Sequence, residues 1–117
     1  MQYEYFYGAQ AEQFSFYRIP KALFTEPNFS ELSTDAKVLY GILLDRMSLS
    51  LKNQWLDAQN KVYIIFTVEE IMDALNCANQ KATRLMVELE KQAGLIERKR
   101  QGLGRPNLIY VKTFAAT

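Results

Sequence analysis

Two sets of polar side chains in this sequence have the types and spacing to bind an anionic partner that also offers hydrogen-bonding edges. The first is Asn79, Gln80, Lys81, Thr83 and Arg84. On a helix these occupy the surface left over when Ala82, Leu85, Met86 and Leu89, spaced i, i+3, i+4 and i+7, turn toward a core. Arginine can hold a guanine edge through two parallel hydrogen bonds and glutamine an adenine edge likewise, each good pair discriminating by about 1–3 kcal/mol. Ordinary solvated helices carry the same residue types, so the face by itself leaves both readings open. The second set is Lys99, Arg100, Gln101, Arg105 and Asn107, which flank Gly102 and Gly104. Glycines let the backbone approach a phosphate or enter a groove, and cations lie on both sides of them. The competing reading is a flexible hairpin tip with solubilising charge. Gly102-Leu103-Gly104 is not a nucleotide phosphate loop, because no Lys-Ser/Thr follows it and it does not open a helix.

The elements that must position these groups are legible. Thr67-Val68-Glu69-Glu70 is a capping box, in which the Thr67 hydroxyl accepts from the Glu70 amide and the Glu70 carboxylate accepts from the Thr67 amide. It predicts a helix of about two turns with Ile71 and Leu75 on its apolar face, stopped by the polar break at 76–79. The second helix follows at once and ends before Gly94, after which 95–100 reads as a strand, 101–107 as a loop and 108–111 as the returning strand. Helix, turn, helix and basic hairpin is the order of an α+β winged helix-turn-helix.

Upstream, Ser33 is a good helix N-cap with Asp35 in the first turn, and Ala36, Leu39, Tyr40, Leu43, Leu44 and Met47 fit one helical face. Gly41 inside that helix implies close approach of another element. Residues 48–60 read as a polar connection with Trp55 assigned to the core, and 61–66 as the first core strand. Residues 25–32 read as a loop, and Pro20 suits a first helical position. The N-terminal arm alternates Tyr3, Tyr5 and Tyr7, then after the polar stretch 10–13 carries Phe14, Phe16 and Tyr17. It is too short to fold alone, and packs on its own domain, packs on or exchanges with a second subunit, or stays mobile. The resulting division is an arm with a short helical turn over 1–32 and a winged-helix domain over 33–114. The chain stops soon after the last strand, with 114–116 reading as an interrupted continuation.

Composition narrows the chemistry. With 117 residues, 49% hydrophobic and 23% charged, the chain is a single globular domain. It has no histidine and one cysteine, which removes the usual general base, the commonest metal ligand and any internal disulfide. No catalytic residue, metal or cofactor is assigned. Cys77 reads as a small apolar residue, the pairs Glu69-Glu70 and Glu88-Glu90 as capping or solvated positions, and Asp45-Arg46 as a structural ion pair or cap, with Arg46 and Lys52 within possible reach of a phosphate. No stretch approaches transmembrane length and no targeting pattern opens the chain, so a reducing cytoplasm is the expected compartment. The net charge of +1 is unevenly spread: residues 95–112 carry Arg98, Lys99, Arg100, Arg105 and Lys112 against Glu97 alone. A basic hairpin on a near-neutral domain points to a directed anion contact rather than to general solubility.

The runs 36–50, 62–64 and 66–70, and above all Gly94-Leu95-Ile96-Glu97-Arg98-Lys99-Arg100-Gln101-Gly102-Leu103-Gly104-Arg105-Pro106-Asn107, resemble the N-terminal domain of RepA-type plasmid replication initiators, the RepA_N family. The resemblance covers roughly residues 16–114. It implies a winged helix that binds repeated duplex DNA at a plasmid origin, commonly as a homodimer, ahead of a separate C-terminal domain absent from this sequence. Host replication-initiation proteins are implied as partners. One departure is Ala78, where related sequences often carry a capping serine; Asn79 or Asn76 then becomes the expected cap. A winged-helix transcriptional regulator, or a winged helix used for protein contacts, remains the alternative.

Overall fold

The computed structural model describes residues 2–8 and 14–114; the polar stretch 10–13 and the continuation at 115–116 lie outside the described residues. The core forms around α2 (Thr34–Asn53), which begins as its sequence dictates. Ser33 is extended and its hydroxyl accepts from the Ala36 amide at 3.1 Å, with Asp35 in the first turn. Ala36, Leu39 and Leu43 are fully buried, and Tyr40 and Ile42 nearly so. Gly41 is needed where it stands. A Cβ there would lie 2.8 Å from Ile19 Cγ1 and 2.9 Å from the Arg18 carbonyl oxygen, so the segment leading into α1 (Ala22–Thr25) crosses directly against bare helix backbone.

Several expectations need correction. α2 continues to Asn53, through the start of the expected connection, and ends where Gln54 turns left-handed at φ 57°. The apolar stripe fails over that last stretch, with Leu49 and Leu51 exposed and Ser50 buried, which is why periodicity did not extend the helix. The strand expected over 61–66 shortens to β1 (Ile64–Ile65), because Val62 bridges Leu56 and the Tyr63 amide donates to the Trp55 carbonyl at 3.1 Å. Trp55 is consequently only half-buried and stacks on Tyr63 at 6.4 Å instead of entering the core. Finally, Pro20 lies ahead of α1, whose N-cap is Lys21; the loop at 25–32 contains a 3-10 turn (Pro27–Phe29) that starts on Pro27.

β1 pairs antiparallel with β3 (Leu108–Val111), which pairs antiparallel with β2 (Ile96–Lys99), giving the order β1-β3-β2. Ile64 faces Ile109 and Lys99 faces Leu108 across the ladders. Ile64, Ile96 and Ile109 close one side of the core against α2, α3 (Val68–Leu75) and α4 (Asn79–Val87). Two phenols tie the sheet to its surroundings: Tyr40 donates to the Lys112 carbonyl at 2.6 Å and Tyr110 to Asp57 at 3.0 Å. Tyr3, Tyr5, Tyr7, Phe14, Phe16 and Tyr17 are exposed, with Phe14 edge-on to both Phe6 and Phe16. No helix among the described residues is long and apolar enough to cross a membrane.

Candidate nucleic-acid interface

The helix pair forms locally. The Thr67 hydroxyl accepts from the Glu70 amide at 3.1 Å and Glu70 Oε1 accepts from the Thr67 amide at 3.0 Å, completing the capping box. The same Glu70 pairs with Arg46 of α2, whose guanidinium also lies 4.6 Å over the Phe66 ring. Burial pushes the Glu70 carboxyl up, but the Thr67 amide and Arg46 outweigh it and hold it below the usual carboxylate range. Arg46 is thus a structural cation, with Glu70 rather than Asp45 as its partner. α3 ends at Asn76, left-handed at φ 56°, whose amide returns to the Met72 carbonyl. The N-cap of α4 is Ala78, and no side chain caps it, so neither Asn76 nor Asn79 takes over that role.

On α4, Ala82, Leu85 and Met86 are buried and Asn79, Gln80, Thr83 and Arg84 are exposed. Lys81 is half-exposed, and its Nζ lies 2.6 Å from Asp35 at the start of α2, so its charge already has a partner within the domain. Thr83 Oγ1 approaches Asn79 Oδ1 at 3.5 Å. Arg84 keeps its hydrogen-bonding capacity toward solvent.

Beyond Val87 the helix widens into a π turn (Glu88–Gln92), with the Ala93 amide reaching back to the Glu88 carbonyl. Of the two carboxylates read as capping or solvated, Glu88 does cap a helix, though a distant one, and Glu90 does neither. Glu88 is buried, and its carboxylate accepts from both the Ser33 amide and the Ser33 hydroxyl at 2.9 Å, capping α2 from a distant part of the chain. Glu90 accepts from the Arg98 amide at 3.0 Å, from its Nε at 2.9 Å and from a terminal guanidinium nitrogen at 2.7 Å. Burial raises the Glu90 carboxyl, yet the Arg98 amide and guanidinium together keep it below the ordinary range. Arg98 is therefore the root of the hairpin, and the charge left for an outside partner sits on Lys99, Arg100 and Arg105 around the loop, with Lys112 exposed beyond the end of β3. Nothing in the sequence could have paired Ser33 with Glu88. For Arg98 the only signal is its strand register opposite the buried Ile109.

The loop between β2 and β3 holds its shape by few contacts. Gln101 Nε2 donates to the Pro106 carbonyl at 2.7 Å across its neck, and the Arg105 amide donates to the Gly102 carbonyl at 3.3 Å across its tip. Gly102 and Gly104 have φ of 117° and 77°, a region that side-chain-bearing residues rarely adopt. Lys99, Arg100, Gln101, Arg105 and Asn107 are all exposed. Arg105 and Asn107 also line a cleft of about 300 Å³ with Thr67, Val68 and Glu69 at the start of α3. The fold thus brings the returning leg of the hairpin beside the helix pair, and Glu90 joins its outgoing leg to the end of α4. This is a winged helix. Leu103, at the crest of the loop, is fully exposed; its place between two glycines was visible in the sequence, its isolation was not.

Residues 15–117 match the family described as Replication initiator protein A (RepA) N-terminus. The chain belongs to that family. A solved structure described as "N-Terminal domain of DNA binding protein" is 39% identical, with a TM-score of 0.80 over 99% of this chain and 88% of the other. One described as "Structure of Rep-DNA complex" is 38% identical, with a TM-score of 0.80 over 97% of this chain and 87% of that one. "Structure of MDR initiator" is 40% identical, with a TM-score of 0.76 over 97% and 89% of the two chains. A curated relative, the "41 kDa protein" of Lactobacillus helveticus, is 32% identical over 92 residues, which are 79% of this chain and 26% of the relative. The chain thus spans about a quarter of that protein's length.

Proposed function

We propose that this RepA N-terminal domain binds duplex DNA sequence-specifically at repeated sites of a plasmid origin, as the DNA-recognition module of a replication initiator. The observation that carries the reading is the pairing of two surfaces on one small domain, joined through Glu90 and Arg98. α4 presents Gln80, Thr83 and Arg84 near its N-terminal end, where helix-turn-helix proteins reach base edges in the major groove. The wing presents Lys99, Arg100 and Arg105, positioned for phosphates. The similarity to the Rep–DNA complex supports the same reading. Lys81 has the weaker claim to a base because Asp35 competes for it, and Gln101 the weaker claim to DNA because it closes the loop neck. The module does no chemistry itself; any opening of an origin comes from strain, from bringing sites together or from recruited host initiation proteins, in the cytoplasm. The exposed aromatics of the arm supply apolar surface for a homodimer contact.

Fluorescence anisotropy of the chain against its own origin repeat and a scrambled duplex, over a salt series, tests this. The repeat is bound tighter by about a thousandfold with a steep salt slope. Arg100→Ala with Arg105→Ala lowers that slope by roughly one unit per lost phosphate contact, whereas Arg84→Ala relaxes base preference instead. Equal, weak binding to both duplexes overturns the reading in favour of a winged helix that serves protein contacts.

A further inference from the structure

Leu103 stands at the crest of the wing with the exposure of a side chain in an open peptide, 104% of the reference value. Isolated surface leucines are ordinary, and exposure alone assigns nothing. Its setting is what matters. The two flanking glycines leave open space, with no heavy atom within 4 Å of where either Cβ would be, so the crest is one apolar side chain on a thin ribbon of backbone. Pro106 and two hydrogen bonds, across the neck and across the tip, present that ribbon in a defined shape. Arg100 on one leg and Arg105 on the other place a cation to either side of the crest.

A crest built this way suits a narrow slot with anions on both walls and stacked apolar faces at the bottom. The minor groove of duplex DNA has that form, about 6 Å wide between two phosphate strands. A leucine contributes nothing to phosphate binding, yet leucine is among the side chains that press between base pairs and partly unstack them from the minor groove. We propose that Leu103 is an apolar wedge, entering the minor groove beside the site read by α4 and opening one base step. The proposal rests on the DNA-binding reading above. The step opened is a pyrimidine–purine step, TA above all, because these unstack at least cost.

The test places 2-aminopurine at each adenine of the origin repeat in turn and follows its fluorescence, which rises on unstacking, together with anisotropy of the full chain. The wild-type protein raises the signal several-fold at one step outside the α4 footprint. Leu103→Ala, an exposed loop change that leaves the fold intact, abolishes the rise at saturating protein while the salt slope stays as it was, and Leu103→Met restores it. Specific binding in anisotropy with no fluorescence rise at any position overturns the wedge and leaves the DNA reading standing. A rise that persists in Leu103→Ala overturns it too, as does a Leu103→Ala variant that changes only self-association, which assigns the crest to a protein contact. Loss of specific binding by the wild-type chain removes both.

Discussion

The end of α4 and the tip of the wing both belong to the proposed DNA interface, but they are held in opposite ways. From Leu85 to Leu89 the helix is fastened on its inner side: three apolar side chains are buried, and the Glu88 carboxylate satisfies two donors of Ser33. Two residues beyond Glu88, Glu90 gathers three donors of Arg98 and so fixes where the wing starts. From 100 to 107 every residue is exposed, and two hydrogen bonds hold the loop. The difference separates two properties that a single interface usually mixes. Stability and orientation reside in the carboxylates at the helix end, while the proposed DNA contacts fall to wing side chains that the fold does not need.

That separation can be broken by measurement. The largest effect belongs to Glu88→Ala, which leaves the Ser33 amide without its acceptor; urea denaturation should show a loss of about 2–3 kcal/mol. A smaller loss, about 1–2 kcal/mol, follows from Glu90→Gln, which keeps one acceptor oxygen but discards the charge facing Arg98. The pH dependence sharpens this. The Glu70 and Glu90 carboxyls are both lowered in the folded state, so the native protein holds fewer protons than the unfolded one in acid. Their contribution is complete above the unfolded glutamate value of about 4.3 and is lost as pH falls through the lower folded values. Denaturation midpoints should therefore drop on acidification below that point, and less steeply in Glu90→Gln. The smallest effect belongs to the wing tip, where Arg100→Ala and Leu103→Ala each change stability by no more than about 0.5 kcal/mol while altering DNA binding. A wing-tip substitution as destabilising as Glu88→Ala would collapse the distinction.

Much of this architecture was readable because its causes are local. The capping box at 67–70, the Ser33 cap, the stripe Ala82-Leu85-Met86-Leu89 and the wing glycines each act within a few residues, and each appears where its pattern placed it. Gly41 signalled a close approach, though not which segment approaches. The errors fall where local rules weaken. α2 outran its apolar stripe, the strand at 61–66 gave up its first residues to a bridge with Leu56, and Trp55 found Tyr63 rather than the core. On the binding face, residue types alone could not show that Asp35 takes Lys81, that Gln101 closes its own loop, or that Arg98 is unavailable.

The sequence by itself determined the helix pair, the hairpin and the cations between them, since capping, periodicity and turn chemistry are properties of neighbouring residues. Only the tertiary structure decided which charges remain for a partner. The hydrogen bonds of Glu88 to Ser33 and the ion pair of Glu90 with Arg98 depend on where separate elements come to rest, and the burial that makes them favourable exists only once the core has formed.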